Sequence, residues 1–211
     1  MKTSQVLSPP KVRIIAYTSS MMPSSLTDHI KKYISLTETE EQQICNAVTV
    51  KAIKKKSFLL EPDHVCKELH FVSSGCLRLY FINKKLNEQI TLFAIENWWI
   101  TDYESLDSGR PSSYYMQAVE NSEVISISKT KLDELFEAVP KLERYFRIVQ
   151  QRAFAATQTR IKYIYSMSDE ERYHHFSSRF PAFMQRVPQY MLASYLGFTP
   201  QFLSKIRAKN I

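Results

Sequence analysis

Residues 187–207 read Val-Pro-Gln-Tyr-Met-Leu-Ala-Ser-Tyr-Leu-Gly-Phe-Thr-Pro-Gln-Phe-Leu-Ser-Lys-Ile-Arg, and their order spells two short helices joined by a tight turn. Pro188 suits a first helical position, and Leu192 and Leu196 share one face. Small Ala193 sits beside them, where a second helix must cross closely. Gly197 falls just past the helix end, where a left-handed backbone is wanted and glycine adopts it without steric cost. Thr199 can accept a bond from a free N–H of the next helix, and Pro200 takes that helix's first position, where its missing donor costs nothing. Phe202, Leu203 and Ile206 are expected on an apolar face of this helix, with Gln201, Ser204 and Lys205 opposite. Such a helix-turn-helix lays its second helix in the major groove of double-stranded DNA. Gln can bond an adenine edge bidentately and Lys can bond guanine O6 and N7, so Gln201 and Lys205 are the candidate base contacts. Thr199, Ser204 and Arg207 are better placed to hold phosphates.

Charge supports that reading through its distribution. Over 211 residues, 28 basic and 21 acidic side chains leave a net charge of +7, yet no acidic residue follows Glu171. Arg172, Arg179, Arg186, Lys205, Arg207 and Lys209 therefore make the C-terminal segment purely cationic, as a polyanion partner requires.

Upstream, Ser168-Asp-Glu-Glu171 is a capping box opening another helix. Before it, Leu142, Tyr145, Phe146, Val149, Phe154, Ile161, Ile164 and Tyr165 form an apolar stripe on one long helix that begins at Pro140. A small domain seldom buries so long a stripe, so this helix is expected to pair with its copy in a homodimer. Lys129–Ala138 is a shorter helix. From Val48 to Ile127 the period is that of strands, in eight short runs with hairpin turns at Ser73-Ser74-Gly75 and Asn83–Asn87. Two short helices are expected within residues 25–46, the second opened by Ser35 or Thr37. The fold class is thus α+β: an antiparallel, jelly-roll-like β-roll with flanking helices, a long helix and a C-terminal helix-turn-helix domain. The expected divisions are a disordered leader over 1–22, which Met21 and Met22 mark as a candidate upstream start, the roll over 23–139, the long helix over 140–167 and the reading domain over 168–211.

Other chemistry finds little support. Three scattered cysteines, Cys45, Cys66 and Cys76, indicate no disulfide framework and a reducing, cytoplasmic setting. No apolar run is long enough to span a membrane, and the first residues lack a signal-peptide core. His64, Cys66 and His70 lie close in sequence but on a strand that alternates faces, and adjacent His174 and His175 diverge on a helix, so no metal site is expected. No iron–sulfur cysteine spacing exists, and no catalytic ordering or phosphate loop points to an enzyme. Trp98, Trp99, Tyr103, Tyr114 and Tyr115 read most simply as core of the roll.

The order of β-roll, long helix and helix-turn-helix resembles the Crp/Fnr family of bacterial transcription regulators. The resemblance spans residues 25–211 and rests on Leu69-His-Phe-Val-Ser-Ser-Gly-Cys-Leu-Arg-Leu, on Ala118 with Glu123-Val-Ile-Ser-Ile, and on the motif from Ala193 to Arg207, which looks like that of Bacteroidetes members. It implies a roll that holds a small-molecule effector, a dimerising helix, a palindromic promoter site and RNA polymerase as a further partner. Members that bind cyclic AMP carry a Gly-Glu pair followed further on by Arg and then Ser or Thr. Counting back from Ala118, these positions hold Thr101-Asp102, Ser112 and Ser113, with Arg110 nearby. A neutral serine cannot replace a guanidinium–phosphate contact, where a charged hydrogen bond contributes about 1.5–3 kcal/mol, so cyclic AMP is not the expected ligand. The sequence also ends at Ile211 without the β-wing many relatives carry after the reading helix. The alternative reading is a ligand-binding or adaptor β-roll without DNA binding, whose C-terminal helices serve oligomerisation.

Overall fold

The short strands assemble into two sheets, and several of them are buried at consecutive positions, on both faces. The computed structural model describes residues 12–15 and 24–208. Its elements are β1 (Arg13–Ile15), α1 (Ser25–Lys31), α2 (Glu38–Ala47), β2 (Thr49–Ile53), β3 (Phe58–Leu60), β4 (Glu68–Ser74), β5 (Leu77–Ile82), β6 (Glu88–Ala94), β7 (Trp99–Ile100), α3 (Tyr103–Ser108), β8 (Tyr115–Ala118), β9 (Ser122–Ser128), α4 (Lys129–Ala138), α5 (Lys141–Ser166), α6 (Asp169–Arg179), α7 (Pro181–Arg186), α8 (Gln189–Leu196) and α9 (Pro200–Ala208). One sheet has the order β1-β2-β9-β4-β7, the other β3-β8-β5-β6. Strand β9 is flanked on both sides: Ile125 faces Val50 of β2 and Phe71 of β4. Its Val124, Ile125 and Ile127 are accordingly buried, as are Phe71 and Val72. β-branched side chains fit this pleated surface, which is buried on both faces along β9.

Local signals place the helix ends. Thr37 and Glu40 close a capping box at α2, and Ser168 and Glu171 close another at α6, each carboxylate accepting the cap residue's own N–H. Ser128 caps α4 by accepting from the Lys131 N–H. At the β4–β5 turn Gly75 has φ +94°, and its N–H donates to Glu96 at 2.9 Å.

Three expectations need correction. Arg13–Ile15, read as part of a disordered leader, pairs antiparallel with β2; its β-branched pair adds a strand to an edge whose backbone groups would otherwise be unpaired. The rest of that leader lies outside the described residues. Trp98 and Tyr103 are 42% and 48% exposed rather than core, because the two-residue strand β7 beside them sits at a sheet edge. Of the five aromatics, Trp99 does pack inward, its ring 5.4 Å from that of Phe71. Helix α3 follows from no periodic pattern; Asp102 caps it and Gly109, at φ +68°, ends it.

Among the described residues the chain divides into two compact units, Met1–Leu79 with Phe93–Leu142, and Tyr80–Leu92 with Glu143–Ile211. The outer half of the β5–β6 hairpin therefore groups with the C-terminal helices.

Candidate nucleic-acid interface

Helix α8 ends as its sequence requires. Gly197 adopts φ +87°, its N–H bonds to the carbonyls of Ala193 and Ser194, and the Phe198 N–H also reaches Ala193 O, at 3.0 Å. Pro188 serves as the N-cap residue, one position earlier than its composition suggests. Leu192, Ala193 and Leu196 are buried together with Leu203 and Ile206 of α9, so the two helices share one apolar seam. Thr199 caps α9 by accepting from the Phe202 N–H at 3.2 Å.

The described candidate base and phosphate contacts lie at the surface. Gln201, Ser204 and Lys205 are all exposed on α9, as is Thr199 at its start. Arg207 lies in the last turn of α9, with its side chain outside the described residues. Phe202 departs from expectation: it is 36% exposed, whereas Leu203 and Ile206 are 1% and 2% exposed.

Two arginines hold this unit in place: Arg160, which the sequence reading passed over, and Arg172, which it counted only among the cations suited to a polyanion but which is buried. The last carbonyls of a helix have no partner within it and carry partial negative charge, so a buried cation there satisfies both needs. Arg172, 6% exposed, does this for two helices at once. Its Nε donates to Leu196 O at 2.6 Å, at the end of α8, and its Nη1 donates to Ile164 O and Met167 O at 3.4 and 3.2 Å, at the end of α5. Asp169 pairs with the remaining nitrogen. Arg160 does the second half of the task. Its guanidinium donates to Tyr195 O at 2.7 Å, lies 4.2 Å from the Tyr195 ring centre, and bonds Thr91 O at 2.8 Å and Ile90 O at 3.2 Å on β6. Burial pulls its pKa below the usual guanidinium value, which still leaves it charged near neutrality. Ser194 completes the attachment by accepting from the Ile90 N–H at 3.0 Å and donating to Glu88 O at 2.7 Å. Since β6 is the edge of its sheet, these side chains occupy backbone groups that a further strand would otherwise take. One signal could have found Arg160: it stands four residues before Ile164, a cation on the face of an apolar stripe.

The candidate effector positions do not form one set. Asp102 and Ser112 come together inside the roll unit, 6% and 5% exposed, with Ser112 Oγ donating to the carboxylate at 2.6 Å. The same carboxylate accepts the Glu104 and Ser105 N–H groups at the start of α3. Those are the donors that an incoming phosphate would seek, and an internal anion already holds them. Ser113 is exposed, and Arg110 faces solvent, 3.6 Å from the exposed Glu104. Pro111 breaks the strand between them by forming an isolated bridge to Val65, so Arg110 and Ser112 do not share a strand face.

The histidines have ordinary partners. His70 Nδ1 lies 2.8 Å from Ser126 Oγ, and burial, helped by the nearby Lys51 charge, pushes its pKa down to about 3. His64 contacts Pro62 O, the Cys66 thiol contacts the Thr101 hydroxyl, and His175 packs edge-on against Tyr163. Among the described residues no group of three His, Cys, Asp or Glu side chains is arranged to hold a metal ion.

Comparison with known proteins gives consistent matches. The family model for the cyclic nucleotide-binding domain matches residues 50–139. An anaerobic regulatory protein of Pasteurella multocida is 26% identical over 184 residues, covering 82% of this chain and 67% of its own length. The fumarate and nitrate reduction regulatory protein of Escherichia coli is likewise 26% identical, over 82% of this chain and 73% of its own. Among solved structures, FixK2 of Bradyrhizobium japonicum superposes with a TM-score of 0.66 at 15% identity, covering 77% of this chain and 83% of its own. The c-di-GMP responsive global regulator CLP of Xanthomonas campestris gives a TM-score of 0.67 at 14% identity, covering 82% and 91%.

Proposed function

We propose that this chain is a DNA-binding transcription regulator of the Crp/Fnr type, with a cyclic nucleotide-binding domain fold in its β-roll, and that it acts as a homodimer on an inverted-repeat promoter site. The observation that carries the proposal is the face of Gln201, Ser204 and Lys205. It is exposed on a helix that Leu203 and Ile206 anchor and whose partner helix two arginines hold in place.

The dimer reading draws on α5. Leu142 and Tyr145 are buried at its start, but residues 151–159 are exposed throughout, and Phe154, Ile161 and Tyr165 are 64%, 49% and 87% exposed. A second copy of the same helix is the partner whose stripe would match it. Two reading helices related by a two-fold axis would contact half-sites about 34 Å apart, one turn of duplex. A cytoplasmic setting and contact with RNA polymerase at the promoter fit the same reading. Among the described residues no helix is long and apolar enough to cross a membrane.

Selection of genomic fragments by the purified chain near physiological salt tests the proposal. An inverted repeat is the expected product, with affinity that falls steeply as salt rises because bound cations release counterions from the phosphates. In the Lys205→Ala variant, discrimination at one base pair per half-site should drop by about 1–3 kcal/mol. Equal weakening on every sequence would instead make Lys205 a phosphate contact, and no selection by the wild type would favour the adaptor reading.

The Asp102–Ser112 bond supports a second proposal, that the roll does not respond to cyclic AMP. Saturating cyclic AMP should leave both the melting temperature and operator affinity unchanged. A rise in either would show the pair opening to admit a phosphate. Any effector of the roll would then be of another class, admitted without the phosphate clamp.

A further inference from the structure

Phe202 is the one large apolar side chain on α9 that the described structure leaves substantially in solvent, at 36% exposure. At about 100° of turn per residue, Gln201, Lys205, Phe202 and Ile206 follow one another around the helix, so the ring lies on the border between the polar face and the core seam. It does not hang free. The Phe198 ring meets it edge-on at 5.9 Å, and the guanidinium of the buried Arg172 lies 5.7 Å from the centre of the Phe198 ring. Arg172, Phe198 and Phe202 thus form a file that limits the rotamers of the outermost ring. The result is an apolar shelf beside two hydrogen-bonding side chains.

A major groove offers such a shelf one kind of partner. Base edges there present donors and acceptors, and the apolar group among them is the thymine 5-methyl. Gln201 and Lys205 can read adenine and guanine by hydrogen bonds, but neither can report a methyl group. We infer that Phe202 is a specificity-determining residue of the reading helix, which recognises a thymine methyl in each half-site next to the bases read by Gln201 and Lys205. This rests on the DNA-binding reading above and deepens it.

The test removes the methyl and nothing else. In the operator obtained by selection, each thymine is replaced in turn by deoxyuridine, and affinity is measured for the wild type, Phe202→Ala and Phe202→Leu. Loss of one buried methyl weakens binding by roughly fourfold, so the wild type should lose about that much at one position per half-site. Phe202→Ala should bind the thymine and deoxyuridine operators alike at that position, and Phe202→Leu, still apolar, should keep part of the preference. The deoxyuridine scan on the wild type needs no variant, so a folding defect in Phe202→Ala cannot decide the matter. A wild type indifferent to deoxyuridine everywhere, or a Phe202→Ala protein as sensitive as the wild type, overturns the inference while leaving DNA binding intact. Failure of the wild type to select any operator removes the DNA-binding reading and this one with it.

Discussion

Replacing Arg172 with Leu should abolish operator binding and destabilise the C-terminal helices by about 2–4 kcal/mol, because several buried carbonyls lose a charged donor together. The side chain closes the ends of α5 and α8 at once, through Ile164 O and Met167 O on one and Leu196 O on the other. Leucine matches much of the volume but offers no donor, so these acceptors would stay desolvated and unpaired. Lysine should rescue little, since one ammonium cannot reproduce a planar fork that reaches two helix ends. Hydrogen exchange checks the expectation. Amides of α6, α8 and α9 should exchange much faster in Arg172→Leu, with those of β4 and β9 unchanged. Uniform protection in both units would mean that water or a neighbouring group replaces the guanidinium.

The second large effect is expected in the roll. In Gly75→Ala a Cβ would come 2.7 Å from Ser122 Cα and 2.3 Å from Ser122 Oγ, at a backbone φ of +94°. The hydroxyl could rotate away, but the Ser122 backbone belongs to β9, the strand paired on both sides, and has little freedom to move. Rotating that hydroxyl would also break its bond from the Cys76 N–H. Strain and overpacking together should cost about 3–5 kcal/mol, enough to threaten a domain of ordinary stability. Equilibrium denaturation of Gly75→Ala beside wild type measures it; a loss below about 1 kcal/mol would show that the β4–β5 turn relaxes freely.

Legibility differed between the two ends of the molecule for a physical reason. The helix-turn-helix depends on contacts between near neighbours in sequence: a glycine at a left-handed position, a threonine cap, leucines four apart. Each leaves a local mark, and Gly197, Thr199, Leu192 and Leu196 stand where those marks put them. The eight strands read from residues 48–127 were legible as short β-rich runs broken by turn residues, while β1 and α3 were not. Three residues are too few for a period, and α3 takes its start from Asp102, whose carboxylate also serves Ser112 across a loop.

The sequence by itself determined most of the element order, the turn and caps of the helix-turn-helix, and which face of α9 carries Gln201, Ser204 and Lys205, because these follow from backbone preferences and helical spacing. Only the tertiary structure decided what closes the helix ends, what Asp102 and Ser112 bond to and how far Phe202 is exposed. Arg172 finds Leu196 across 24 residues, Arg160 finds Thr91 across 69, and Asp102 finds Ser112 around a turn. Such bonds are made by groups whose residue type is equally at home on a surface. Nothing in their neighbours distinguishes a solvated arginine from one that ends two helices until the chain has folded around it.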